Sequence, residues 1–215
     1  SDTRELWAAN TSIADGTHLD ITMPLSLQVV DVSHTGVGDR FAEILSGCKN
    51  LSTVDISYTN VSDSGACALI RLPGLQFIDL SGNHLSDSAF ACFPGNSAIE
   101  HLAIADTHIT AQMMEHILAA GRLHTLELEK CKIDSGAWPR IADISRLKQL
   151  NVSNVAIPQS AIQQLSRLQN LAVLECYDCG LSEEDRRVLS RNLPGCEIRS
   201  TETELIDDLL RRFNQ

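Results

Sequence analysis

An apolar side chain returns at every twenty-fourth position of the chain, at Leu27, Leu51, Leu75, Ile99, Leu123, Leu147 and Leu171. Three and five residues after these, apolar character recurs, as in Val54 with Ile56, Ile78 with Leu80 and Leu126 with Leu128. Alternation with a period of two marks a short strand with one buried face, and a fixed long period marks one unit repeated and stacked. In the unit Leu51–Gly74, Leu51, Val54, Ile56 and Val61 are predicted to point inward. Ser62-Asp63 then reads as a helix start, a hydroxyl N-cap followed by an acid in the first turn, and the helix turns Ala66, Leu69 and Leu72 inward. Ser86-Asp87 and Ser182-Glu183-Glu184-Asp185 repeat the signal.

Strands from successive units are expected to pair in parallel about 4.8 Å apart, so equivalent residues form columns. The turn column reads Thr11, Thr35, Thr59, Asn83, Thr107, Cys131, Val155 and Cys179. Its hydroxyl, amide and thiol groups are suited to satisfy backbone groups left unpaired where each strand ends, and Val155 is the exception. The register divides the chain into a degenerate or capping repeat at 1–26, seven repeats at 27–194, and a C-terminal strand and amphipathic capping helix at 195–215. Leu205, Ile206, Leu209, Leu210 and Phe213 carry that last helix. Docking of this helix onto a partner is its rival use.

The tracts Ser57-Tyr-Thr-Asn-Val-Ser-Asp-Ser-Gly-Ala66 and Leu80-Ser-Gly-Asn-His-Leu-Ser-Asp87 resemble the L-x-L-S-x-[TN]-x-[VI]-x-D-x-G unit of leucine-rich repeat proteins. The wording is similar to bacterial repeats of the GALA-related or planctomycete type, and Gly47-Cys-Lys-Asn-Leu51 is similar to protozoan ones. The resemblance covers most of the chain and implies an α/β solenoid, a right-handed βα horseshoe with a parallel concave sheet and short convex helices. It also implies protein recognition on the concave sheet, and says little more of function. Ala103 and Ala105 in the fifth strand, and Pro139 and Pro158 near helix starts, depart from the pattern.

Composition narrows the partner. Of 215 residues, 43% are apolar and only 4% aromatic, which suits thin regular layers of Leu, Ile, Val and Ala. With 28 acidic against 17 basic residues the net charge is −11, which disfavours nucleic acid and anionic membranes and favours a basic, neutral or polar protein partner. No stretch approaches the roughly 18 apolar residues of a membrane span. The start, Ser1-Asp2-Thr3, is neither a signal peptide nor an initiator Met and reads as a fragment or processed product. Seven cysteines, an odd number that falls mostly at inward positions, predict free buried thiols and a reducing, cytoplasmic location. Sequons begin at Asn10, Asn50, Asn60 and Asn151 and matter only for a secreted parent; chance in an Asn/Ser-rich repeat accounts for them.

The concave column between the fourth and sixth repeat positions reads Trp7, Asp31, Asp55, Asp79, Ala103, Glu127, Asn151 and Glu175. Carboxylates roughly 5 Å apart repel by about 1 kcal/mol in water and about 3 kcal/mol at an effective dielectric of 20. Two readings follow: a docking strip for Lys or Arg flanked by Tyr58 and Phe77, or aspartates tolerated on an exposed strand. A second acidic group, Glu127, Glu129, Glu175 and Asp178 with Tyr177, is interrupted by Lys130, Lys132 and Lys148, so local pairing can neutralise it. His34, His84, His101, His108 and His124 map to this face or its rim. A metal at His84, His108 and Asp106 is conceivable, but solvated or pH-sensitive contact residues are the favoured reading. Cys176-x-x-Cys179 is expected in the core.

The candidate partner-binding residues are therefore Asp31, Asp55, Tyr58, Phe77, Asp79, His101, Glu127 and Tyr177, with no cofactor, no metal and no catalytic set. The leading function is a non-catalytic interaction scaffold. The alternatives are a specificity or structural module of a larger protein, such as a ligase adaptor, effector or assembly factor, and, more remotely, an enzyme or metal-binding protein. Oligomeric state is not encoded in these features.

Overall fold

The computed structural model describes residues 3–15, 23–95 and 97–201. Among these residues, nine three-residue strands form one parallel sheet. They are β1 (Glu5–Trp7), β2 (Val29–Asp31), β3 (Thr53–Asp55), β4 (Phe77–Asp79), β5 (His101–Ala103), β7 (Thr125–Glu127), β9 (Gln149–Asn151), β10 (Val173–Glu175) and β11 (Glu197–Arg199). The pairing advances by one 24-residue unit at each step, as in Val30↔Val54 and Val54↔Ile78. Two two-residue strands, β6 (His108–Ile109) and β8 (Lys132–Ile133), pair beside the main sheet. The opposite layer holds α1 (Asp39–Ser46), α2 (Asp63–Ile70), α3 (Asp87–Phe90), α4 (Ala111–Leu118), α5 (Ala137–Ala142), α6 (Gln159–Leu165) and α7 (Glu183–Asn192). The expected C-terminal helix lies outside the described residues. Among those described, no helix is long and apolar enough to cross a membrane.

Between the layers runs a core of the predicted residues: Leu27, Leu51, Leu75 and Ile99 are essentially inaccessible, as are Val54, Ile56, Ala66 and Leu69. The turn column works as its chemistry requires. The hydroxyls of Thr35 and Thr59 donate to the carbonyls of Val32 and Ile56 at 2.6 and 2.8 Å. Asn83 Nδ2 reaches Ile56 O at 2.8 Å, across the repeat boundary. Where Val155 lacks a donor, the next repeat compensates, for Cys179 Sγ donates to Val152 O at 3.0 Å.

One position before that column, the chain turns through the left-handed region in every repeat, at Asn10, His34, Tyr58, Gly82, Asp106, Lys130, Asn154 and Asp178. Only one of these is glycine. At Gly82 a Cβ would stand 2.3 Å from the Tyr58 ring, so space as well as φ demands it.

Helix starts are tied across repeats. Asp39, in the first turn of α1, accepts from Ser62 N at 2.8 Å, from the Ser62 and Ser64 hydroxyls at 2.6 Å each, and from Gly65 N at 3.2 Å. A Cβ at Gly65 would lie 2.5 Å from that carboxylate, which explains the glycine of the repeat wording. The clamp recurs as Asp15 on Gly38 N, Asp63 on Ser86 N and Asp87 on the Thr110 hydroxyl, then ends because position 111 is Ala.

The cysteines correct the expectation of free thiols throughout. Cys67 of α2 and Cys92, just past α3, form a disulfide with a Cα–Cα distance of 5.4 Å. They sit on the helical layer at a spacing of 25 residues, one repeat and one residue, which makes them neighbours on adjacent units. The other five remain free, four of them buried.

Candidate functional site

Because the middle residue of each strand is driven into the core, its two flanking residues must face the concave side. The register therefore sets Trp7, Asp31, Asp55, Asp79 and Ala103 in one column, continued by Glu127, Asn151, Glu175 and Arg199.

The aspartates have a structural task that sequence reading missed. Asp31 Oδ1 accepts from Ser33 N and Oγ at 3.0 and 2.8 Å, Asp55 Oδ1 from Ser57 N and Oγ at 2.9 and 2.7 Å, and Asp79 Oδ1 from Ser81 N at 2.8 Å. Each is an Asx turn closing its strand. The recurring D-x-S tripeptide was the available signal. One oxygen of each carboxylate is thus engaged, and among the described residues no ion pair reaches any of the three. Burial, with added repulsion from Asp55 and Glu127, raises the Asp79 pKa to about 6 against the opposing bonds from Ser81.

An aromatic rim borders this column. Tyr58 stacks on His34 with ring centroids 4.6 Å apart and planes 5° from parallel. Its side chain crosses Gly82, and its hydroxyl donates to Asp106 Oδ2 at 2.7 Å, two repeats away. That bond, with burial and neighbouring carboxylates, pushes the phenol up to about 12. Phe77 lies against His101, centroids 4.4 Å apart, and His101 Nε2 meets Glu127 Oε1 at 3.0 Å. The structure thus gathers Asp31, Asp55, Phe77, Asp79, His101 and Glu127 on one face, with Tyr58 at its edge.

Tyr177 does not join them. It is only 7% exposed, because it occupies the column of Ser33, Ser57, Ser81 and Ser153, itself a buried column. The pairing expected in the second acidic group takes a different form. Lys130 meets Glu129 at 3.2 Å, but Glu175 pairs with Arg199 at 2.9 Å, and Arg199 also holds Glu197 at 3.1 Å. Arg199 was legible as the residue 24 places after Glu175. Together Thr125, Glu127, Gln149, Asn151, Glu175 and Arg199 line a concave cavity of about 280 Å³.

The histidine pair considered for metal is split. His108 Nε2 meets Asp134 Oδ1 at 2.9 Å, His84 is exposed, and Asp106 is engaged by Tyr58. Among the described residues, no three His, Cys, Asp or Glu side chains converge as a metal set would. Cys176 and Cys179 are buried, and burial raises the Cys179 thiol pKa.

Profiles described as Leucine Rich repeat and Leucine Rich Repeat match residues 47–69 and 74–96. Among solved structures, an internalin (inlF) from Listeria monocytogenes is similar over 93% of this chain and 56% of its own, at 20% identity and TM-score 0.64. A Leptospira interrogans LRR protein is similar over 91% of this chain and 54% of its own, at 16% identity and TM-score 0.59. An internalin C2 (inlC2) from L. monocytogenes is similar over 82% of this chain and 74% of its own, at 19% identity and TM-score 0.60. The chain spans just over half the length of the first two. Comparison with curated protein sequences gives no match.

Proposed function

We propose that this chain, which is a leucine-rich repeat protein, is a non-catalytic interaction scaffold whose concave aspartate column docks a basic segment of a protein partner. One observation carries the reading. Asp31, Asp55 and Asp79 stand on adjacent strands with Oδ1 fixed by Asx turns and without an ion pair among the described residues. Each Asx turn engages Oδ1 and so orients its carboxylate on the concave sheet. Stacked carboxylates repel in the free protein, and Lys or Arg side chains laid across them would relieve that repulsion while gaining charge-assisted hydrogen bonds. Phe77 and Tyr58 flank the column and supply apolar contact of the kind that anchors interfaces.

The test is binding of a lysine- and arginine-rich peptide library to the intact chain at low and high salt, beside an Asp31→Asn, Asp55→Asn, Asp79→Asn triple variant. Asparagine keeps the Asx acceptor, as Asn151 does for Ser153 N at 2.9 Å in this same column. Salt-sensitive selection of basic peptides that disappears in the triple variant supports the reading; selection indifferent to both sinks it. Because the chain spans only part of similar structures, a role as the recognition module of a larger protein accords with the same face. The cytoplasmic placement rests on thiols, and the Cys67–Cys92 bond, of a kind that persists in oxidising compartments, weighs against it.

A further inference from the structure

The cavity over β7, β9, β10 and β11 differs from the aspartate column in charge and in hydrogen-bonding character. Its volume, about 280 Å³, lies just below the range of drug-sized ligand sites and fits one residue-sized guest. Its carboxylates already have partners: Glu127 meets His101 at 3.0 Å and Glu175 meets Arg199 at 2.9 Å. The Arg199 guanidinium offsets the charge of Glu175, which leaves a further cation less to gain here than at the unpaired aspartates.

Donors and acceptors also alternate here. Asn151 Oδ1 is held by Ser153 N at 2.9 Å, so Nδ2 occupies the open position where the aspartates present an oxygen. In the column, an amide donor therefore stands between Glu127 and Glu175, each one strand spacing of about 4.8 Å away. Gln149 lies beside it and accepts weakly from the Thr125 hydroxyl at 3.4 Å.

We propose that this cavity binds a single neutral sugar residue. A hydroxyl group both donates and accepts, and so matches a wall of alternating carboxylate and amide; an ammonium or guanidinium can only donate and would leave the amide donor facing it. An anionic ligand would meet two carboxylates. The Glu175 and Arg199 side chains, 14% and 17% exposed, are held by each other before any ligand arrives, which lowers the ordering cost of binding. This site is independent of the basic-segment reading of the aspartate column.

Saturation-transfer NMR of the full chain with glucose, galactose, mannose and N-acetylglucosamine tests it. The expected result is transfer to the ring protons of at least one sugar, weakened about tenfold or more by Asn151→Asp, which keeps the Asx acceptor but turns the donor into an acceptor. The exposed Gln149→Ala should weaken it as well. Absence of transfer from all four sugars, or transfer unaffected by both variants, overturns the proposal. So does capture in this cavity of an arginine-bearing peptide that is lost on Glu127→Gln.

Discussion

Asp79 shows how one side chain holds a structural bond and an electrostatic cost together. Its pKa near 6 lies above the ordinary carboxylate value, so between about pH 4 and pH 6 the folded chain holds protons that the unfolded chain has released. Stability from this group therefore falls as pH rises through that window, and the full cost is present at neutrality. Asp79→Asn should stabilise the protein by about 1–3 kcal/mol at pH 7, net of a weaker bond to Ser81, and have little effect at pH 4. Urea unfolding at the two pH values measures it; equal effects would show that Asp79 is not the source. The same group was visible in the sequence as one of three stacked acids, but its bond to Ser81 was not, since repulsion between columns can be read from a period whereas an Asx turn depends on local backbone geometry.

At the scale of elements, the carboxylate clamps and the disulfide decide which units hold together. Burial alone would raise the Asp39 pKa, but bonds from Ser62, Ser64 and Gly65 outweigh it and leave it lowered. Its stabilisation is thus complete above about pH 4 and is lost as pH falls through the depressed folded value. Asp39→Ala should cost about 2 kcal/mol at pH 7 and flatten that part of the acid response, as followed by thermal melts across pH. Helix α3 is the shortest among the described residues, four residues against eight in its neighbours α2 and α4, and the Cys67–Cys92 bond lies beside it. Closing a 25-residue loop restricts the unfolded chain by about 3 kcal/mol, so Cys67→Ser with Cys92→Ser should lose stability of that order. Amide exchange should speed first in α3. Alkylation under denaturing conditions with mass counting then reads five free thiols for the bonded chain and seven for a reduced one.

Across the whole molecule, what the sequence made legible is what a single repeat can encode. Leu51, Val54 and Ile56 are buried because each alternates within its own strand, and Thr59 satisfies a carbonyl three residues away. What did not show depends on two or three repeats at once: Asp39 on Ser62, Tyr58 across Gly82 to Asp106, Cys67 with Cys92, and Arg199 on Glu175. Tyr177 escaped for the converse reason, since its column is buried by the stack and not by its own alternation. The clamp from an acid to a hydroxyl 23 residues downstream has a further consequence for how such a protein can change length. A tandem duplication of residues 42–65 would keep Asp39 on Ser62, Ser64 and Gly65, set the first Asp63 before the second copy's Ser62 and leave the second Asp63 facing Ser86, so each clamp would keep its partners. An insertion one residue shorter or longer would break the phase of every contact it crosses, so growth by whole units is the only kind the interlocked chain accepts without repair.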